Sequence, residues 1–447
     1  MASGAEREEA CEERAEIEKS GCPARAEAMR VVHVNTFDKT GGAARSAYRL
    51  HQGLCRLGAD SSMFVAYKNS SDPSVLAYIR TSRILAQLIR RWRRERISRA
   101  FSPYKPNPPN SVSNFKSDET PFGADPWGQL PAADVIHLHW IVEFLDYSSF
   151  FGSLPEEKQL VWTLHDMAPL TGGCHWSYGC DRFTDRCGSC PQLSSNSESD
   201  VTRRIWLRKG GSLATLNSRQ LHIVTPSRWL ASEAKRSSLL SRFPCSVIPY
   251  GLDTEIFAPR DRLLARSSLG IAQDAKVILF AADGINVRRK GLHLLLDALQ
   301  GLHSEGQVVL LSVGPGSAPS VKGFSCRHLP PLDDDECLSS VYSAADIFVA
   351  PSEHDNLPNT VLESIACGVP VAAFAVGGIP DAVRPGLTGY LARAGDVADL
   401  RAIICRLLKR DDERAQMSRT CRNVAVQEYA LEIQAQRYLD LYRGLLQ

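Results

Sequence analysis

Two acids, Asp355 and Glu363, stand around a Pro-Asn-Thr in the stretch Ala350–Phe374, APSEHDNLPNTVLESIACGVPVAAF. The stretch begins and ends in short apolar runs that read as strands. Pro358 suits the first position of a helix and Gly368 the position just past its end. Val361, Leu362, Ile365, Ala366 and Val369 then make one apolar stripe, with Asn359, Thr360 and Glu363 off it and Asn359 and Glu363 one turn apart. A helix start at the carboxyl end of a strand offers unpaired N–H groups and a positive dipole end, which suits an anion. A carboxylate beside it accepts hydroxyl hydrogen bonds well. Phosphate on the amides and sugar hydroxyls on the acids is the natural division. The competing account is two exposed acids favoured only by the helix dipole.

Two further segments carry chemistry. GGCHWSYGCDRFTDRCGSCPQL places Cys174, Cys180, Cys187 and Cys190 close together with a C-x-x-C end. Four thiolates so spaced could hold a structural zinc ion, with His175 as an alternative ligand; free or redox-labile thiols are the other reading. IRTSRILAQLIRRWRRERISRAF, residues 79–101, has eight Arg and one Glu. Its Ile84, Leu85, Leu88, Ile89 and Trp92 recur at helical spacing with Arg around them. That fits a helix lying on an anionic membrane surface, or one packing its stripe on the protein.

The chain has 447 residues, 44% hydrophobic and 23% charged, with formal net charge +2. The length suits two or three domains, and the balanced charge gives no reason to expect nucleic acid. No apolar run is long enough to span a membrane, and no secretory signal is legible. With 13 Cys, an odd number, the expectation is a reducing, cytoplasmic setting, peripheral at most on the inner face of a membrane. Residues 1–28 carry eight Glu against four Lys and Arg and read as a disordered acidic tail, so either Met1 or Met29 suits the true start.

The elements that position these groups alternate. MRVVHVN (29–35), SSMFVAY (61–67), DVIHLHW (134–140), QLVWTLHD (159–166) and LHIVTPS (221–227) read as strands. A second series has KVILFAA (276–282), GQVVLLSVG (306–314), DIFVAPS (346–352) and PVAAF (370–374), with helices over 290–302, 335–345 and 359–368. Strand–helix alternation predicts two doubly wound α/β domains whose strand ends line a shared cleft. The last stretch reads as consecutive amphipathic helices.

YSAADIFVAPSEHDNLPNTVLESIACGVPVAAFAVGGIPDAV resembles the nucleotide-sugar site of retaining GT-B glycosyltransferases of the family 4 type, which carry an acid–seven residues–Glu motif. Asp355 and Glu363 fill its two positions, with Asp where the family more often has Glu. The resemblance implies that Glu363 holds ribose hydroxyls, Asp355 the transferred sugar, and the backbone at Asn359, Thr360 and Val361 the diphosphate. FAADGINVRRKGLHLLLDAL resembles the family's cationic diphosphate clamp: Lys290 fits its Lys, and Arg289 or Arg288 takes the Arg role, displaced from its usual place at Gly284-Ile285. TFDKTGGAARSAYRL resembles the Gly-Gly loop, placing Gly41 and Gly42 at the donor. VWTLHDMAP resembles the strand-ending His, making His165 the N-terminal contact to the sugar, with Asp166 orienting it, serving the acceptor or only structural, and His139 packed. IPYGLDTEIFAP resembles the interdomain segment, with Tyr250 in place of Asn.

The resemblance covers most of residues 29–445. It implies an N-terminal acceptor-binding Rossmann-like domain over 29–228 with a Cys-rich insert at 172–193. It also implies a nucleotide-sugar domain over 229–428 and a last helix, 429–447, that crosses back. The implied activity is retaining transfer of a hexose from a nucleotide-diphosphate sugar to a glycan or lipid-linked glycan, in surface polysaccharide synthesis, with no metal required for catalysis. The alternatives are a degenerate GT-B protein that binds nucleotide sugar or glycan, and a nucleotide-sugar epimerase.

Overall fold

The computed structural model describes residues 29–105, 115–302 and 306–447; the expected acidic tail lies outside them. Among the described residues thirteen strands form two all-parallel sheets. The first holds β1 (Arg30–Phe37), β2 (Asp60–Tyr67), β3 (Val75–Ala77), β4 (Val135–Leu138), β5 (Gln159–Thr163), β6 (Leu221–Thr225) and β7 (Cys245–Val247), in the order β3-β2-β1-β4-β5-β6-β7. The second holds β8 (Lys276–Ala281), β9 (Val308–Val313), β10 (Ser325–Leu329), β11 (Ile347–Ala350), β12 (Val371–Phe374) and β13 (Gly389–Ala392), in the order β10-β9-β8-β11-β12-β13. Helices on both faces bury each sheet, so the central strands are runs of Val, Ile, Leu and Phe rather than alternating patterns. β9 and β11 are buried along their whole length.

Chain order reverses direction at β1/β4 and at β8/β11, the switch points where doubly wound sheets leave a crevice. The segments that end β1, β4, β8 and β11 therefore converge on one cleft. Helix Gly42–Arg56 follows β1, and helix Asn359–Ala366 follows β11.

Three consecutive helices, Val397–Lys409, Asp411–Glu428 and Leu431–Leu446, close the chain. The last crosses to the first sheet. Leu252 N–H donates to Tyr429 O at 3.0 Å and Leu431 N–H donates to Leu252 O at 3.0 Å, pinning the crossing point. Beyond it Tyr438, Leu439 and Tyr442 pack against Val31, Leu50, Val135 and Val161. The Tyr442 hydroxyl lies 2.6 Å from His137 Nδ1 and the Tyr438 hydroxyl 2.7 Å from Thr163 Oγ1, so the buried polar ends of both rings are satisfied.

The Arg-rich segment forms helix Ile84–Phe101, with no buried residue. Its apolar stripe stays in solvent: Ile84 is 77% and Trp92 60% exposed. Among the described residues no helix is long and apolar enough to cross a membrane.

Candidate active site in the interdomain cleft

The cleft has a volume of about 550 Å³. From the second sheet's side it is lined by Arg289, Lys290, Asp355, Asn356, Asn359, Thr360 and Glu363; from the first by Gly41, Gly42, Arg45, Trp140, His165, Asp166 and His175. The sequence-predicted residues that meet here are thus Gly41, Gly42, His165, Arg289, Lys290, Asp355, Asn359, Thr360 and Glu363. Arg288 points elsewhere, its side chain 70% exposed and 4.0 Å from Glu353, so Arg289 holds the cleft position.

The clamp turn is 3-10 helical over Arg288–Lys290 and ends at Gly291, φ 75°. A Cβ at Gly291 would stand 1.8 Å from Pro351 O. Only glycine lets the turn lie against the end of β11, which brings the cations to the acid loop. Lys290 Nζ is 2.7 Å and Arg289 Nη1 3.4 Å from Asp355 Oδ2. Ser352 Oγ–H and the Asn356 N–H also donate to Asp355. Burial opposes ionisation of Asp355, but Lys290 and Arg289 outweigh it and hold the carboxyl below its usual range.

Glu363 differs from an acid simply facing a cleft. It is 1% exposed, and both oxygens are held: Arg49 Nη2 donates to Oε1 at 2.9 Å and the Tyr342 hydroxyl to Oε2 at 3.1 Å. Arg49 comes from helix Gly42–Arg56, so the ion pair joins the two halves of the molecule; it also reaches Asp335 at 3.2 Å. A carboxylate has about four lone-pair directions, so two remain for a ligand. Asn359 is likewise engaged across the interface, donating to Gly42 O at 3.1 Å and pairing with Ser46.

Of the three backbone positions expected to meet a diphosphate, Val361 is already used, its N–H donating to Pro358 O at 3.1 Å. The amides of Asn359 and Thr360 have no acceptor among the described residues. Pro358 sits at the cap rather than at the first helical position. Gly41, φ 87°, caps helix Gly42–Arg56 without a side-chain bond, which leaves that helix start open to the cleft too.

His165 ends a buried chain of imidazoles. His33 Nδ1 lies 2.9 Å from His139 Nε2, His139 Nδ1 3.1 Å from His165 Nε2, and His165 Nδ1 2.6 Å from the Tyr250 hydroxyl. Both nitrogens of His165 are therefore committed. Asp166 does not orient His165; its carboxylate accepts from His175 Nδ1 at 2.6 Å and from Trp140 Nε1 at 3.0 Å. Sequence reasoning missed Arg49, Tyr342, Trp140 and His175 in this role: Arg49 lies 314 and Tyr342 21 positions from Glu363, and Trp140 26 and His175 9 positions from Asp166, spacings that fit no local pattern.

Burial pushes His165 down to about 4 and holds His33, His137 and His139 well below 6.5. The unfolded chain takes up those protons near pH 6.5, the folded chain only well below it, so stability rises with pH across this window. Urea midpoints are expected to fall steadily as pH drops from about 6.5 to about 4, and to change little from pH 7 to 8. The depressed carboxyls of Asp355 and Asp166 add a loss of the same sign only below about 3.8. A midpoint flat down to pH 4.5 would contradict a neutral buried imidazole chain.

Cys174, Cys180, Cys187 and Cys190 surround one small cavity of about 20 Å³. Gly172 N–H donates to Cys187 Sγ at 3.1 Å. Burial raises the Cys187 and Cys190 thiols to about 11 and Cys174 further. Among the described residues no three of these sulfurs lie within 4.8 Å of one another, whereas a tetrahedral zinc site with bonds of about 2.3 Å needs sulfurs about 4 Å apart. Zinc there would require the loop to contract. Three donors that do lie so close are on His33, His137 and His139; His33 Nδ1 pairs with His139 Nε2, and His137 bonds to Thr163 and Tyr442, while His33 Nε2 is buried without a partner among the described residues.

Residues 275–410 match the family described as "Glycosyl transferases group 1". The D-inositol 3-phosphate glycosyltransferase of Geodermatophilus obscurus is 37% identical over 186 residues, 37% of this chain and 40% of the relative. That of Saccharomonospora viridis is 33% identical over 212 residues, 43% and 48% of the two chains. The chain thus matches less than half the length of these relatives. Among solved structures, sucrose-phosphate synthase from Thermosynechococcus elongatus superposes with TM-score 0.63 at 18% identity, covering 93% of this chain and 99% of that one. Anabaena HepE in complex with UDP and glucose superposes with TM-score 0.60 at 14% identity, covering 93% and 100%. The fold is GT-B.

Proposed function

We propose that this GT-B protein, whose second domain carries a group 1 glycosyl transferase segment, transfers a hexose from a nucleotide-diphosphate sugar to a glycan or lipid-linked glycan. The observation that carries the reading is the convergence at one cleft of open helix-start amides at Asn359 and Thr360, the cations of Arg289 and Lys290, and two oriented carboxylates. Amides and cations suit a leaving diphosphate, where negative charge develops as the sugar departs. Glu363 suits ribose hydroxyls and Asp355 the sugar. Lys290 and Arg289 now pair with Asp355; an arriving diphosphate competes for them and frees the carboxylate for the sugar. The relatives' names give D-inositol 3-phosphate as a partner of those proteins and say nothing of their donor; the HepE structure holds UDP and glucose, which supports an activated hexose as donor here.

We assign retention of anomeric configuration, by departure of the diphosphate and attack from the same face, with positioning and charge stabilisation supplying most of the rate. Thermal stabilisation by UDP, GDP, ADP and their sugars tests the donor site: at least one pair is expected to raise Tm by several degrees. Stabilisation by none would contradict the assignment. Proton NMR of the product reports configuration through its anomeric coupling.

A role in surface polysaccharide synthesis brings the acceptor to a membrane, and the exposed stripe on Ile84–Phe101, ringed by Arg, fits an anionic leaflet. The protein is expected to float with vesicles containing phosphatidylglycerol at low salt and to be released by high salt. Trp92→Ser with Leu88→Ser should abolish flotation, and an unbound parent would contradict membrane association.

A further inference from the structure

The cleft wall opposite the donor groups has a composition of its own. Tyr67, Phe37, Trp140 and His175 form a run of near-parallel rings, with centroid separations of 5.2, 6.3 and 5.8 Å and interplanar angles of 20°, 26° and 25°. The run leads from the exposed end of β2 into the cleft, where Phe37, Trp140 and His175 line the wall. Asn35 fastens it: its amide donates to Phe37 O at 2.6 Å, and its carbonyl oxygen accepts the Trp140 N–H at 2.8 Å.

Asp166 sets the polar part of the wall. Its carboxylate accepts from Ala168 N–H at 2.8 Å, Trp140 Nε1–H at 3.0 Å and His175 Nδ1–H at 2.6 Å. His175 thus donates from Nδ1 and leaves Nε2 for a ligand. Nε2 has no partner among the described residues, and His175, though only 8% exposed, lines the cleft. His165, by contrast, has no nitrogen to offer.

Charge completes the picture. Among the described residues, Arg45 is the Arg or Lys that lines the cleft from the first sheet's side, beside Gly41 and Gly42. Around Trp140 the charged group is the carboxylate of Asp166. Apolar ring surface suits the C–H face of a pyranose, and Nε2 of His175 suits a sugar hydroxyl, which can donate or accept. A phosphorylated acceptor seated on Trp140 would meet the Asp166 carboxylate first; along the rings the guanidinium of Arg80 comes only at Tyr67, 4.8 Å from its ring.

We propose that Phe37, Trp140 and the Asp166–His175 pair form the acceptor subsite, and that it takes the terminal sugar of an uncharged glycan. The proposal rests on the donor assignment above only for the other side of the cleft. His175 belongs to the Cys-rich segment, so that segment's function is to complete the acceptor wall. Glycan beyond the terminal sugar follows the rings toward Tyr67.

The test is an array of neutral oligosaccharides with D-inositol 3-phosphate as the charged probe, read with and without UDP on the full chain. Neutral glycans are expected to bind and D-inositol 3-phosphate not to. Trp140→Ala should weaken binding about tenfold or more, a loss of about 1.4 kcal/mol, and His175→Gln several-fold, while both variants keep the parent's thermal stabilisation by UDP. The proposal is overturned if the parent binds no neutral glycan, if D-inositol 3-phosphate binds more tightly than every glycan, or if both variants stay within twofold of the parent. Glycan binding as expected with no diphosphate release from any donor would leave the subsite standing and remove the transfer reading.

Discussion

Alanine at Lys290 is expected to lower glycosyl transfer by about a hundredfold or more, the scale set by removing one preorganised charge-stabilising group from a transition state. Lys290 is the nearest cation to the acid loop, 2.7 Å from Asp355, and its side chain is 16% exposed, so no solvent cation takes its place. Glu363→Ala should produce a similar loss, chiefly through donor affinity. Asp355→Ala separates the roles: it releases Lys290 and Arg289 from an ion pair, so nucleoside diphosphate binding is expected to tighten while transfer falls. Steady-state rates with measured diphosphate affinity check all three. Near-parent rates in Lys290→Ala and Glu363→Ala together would remove the site assignment.

The second large effect concerns stability. Arg49→Leu leaves Glu363 buried with only the Tyr342 hydroxyl as partner, and breaking a buried pair from one side costs about 3–5 kcal/mol. Arg49 also packs its guanidinium over the Phe257 ring at 4.9 Å, a contact leucine only partly replaces. A Tm lower by about 10 °C is expected. Adding Glu363→Gln to Arg49→Leu should recover part of it, because an amide needs no counter-charge. Calorimetry of the two single variants and the double variant measures the coupling; a fall under about 1 kcal/mol in Arg49→Leu would show that the pair does not hold the halves together.

The central strands of both sheets were legible because they are buried on both faces and read as unbroken apolar runs. The strands that sequence reading passed over are β3, β7, β10 and β13, the outermost strands of the two sheets. Each is paired on one side only and carries exposed or half-exposed residues, as in β10, SCRHL, so no apolar run announces it. The site divides in the same way. Asp355, Asn359, Thr360 and Glu363 were readable because one strand–loop–helix carries them at fixed spacing. The tie of Glu363 to Arg49 spans 314 positions, and no local pattern encodes a pairing so distant. Asp166 and His165 are adjacent in sequence, which suggested that one orients the other. Successive residues beyond a strand point apart, and Asp166 turns to His175 instead.

The account stands on transfer itself. The most direct measurement is nucleoside diphosphate release from a panel of nucleotide sugars, with a neutral oligosaccharide mixture as acceptor and mass spectrometry of the products. Release with one donor, dependent on acceptor and lost in Lys290→Ala, with a product heavier by one hexose, is the predicted result. Tight nucleotide binding with no release from any donor, or sugar isomerisation without acceptor, would contradict it.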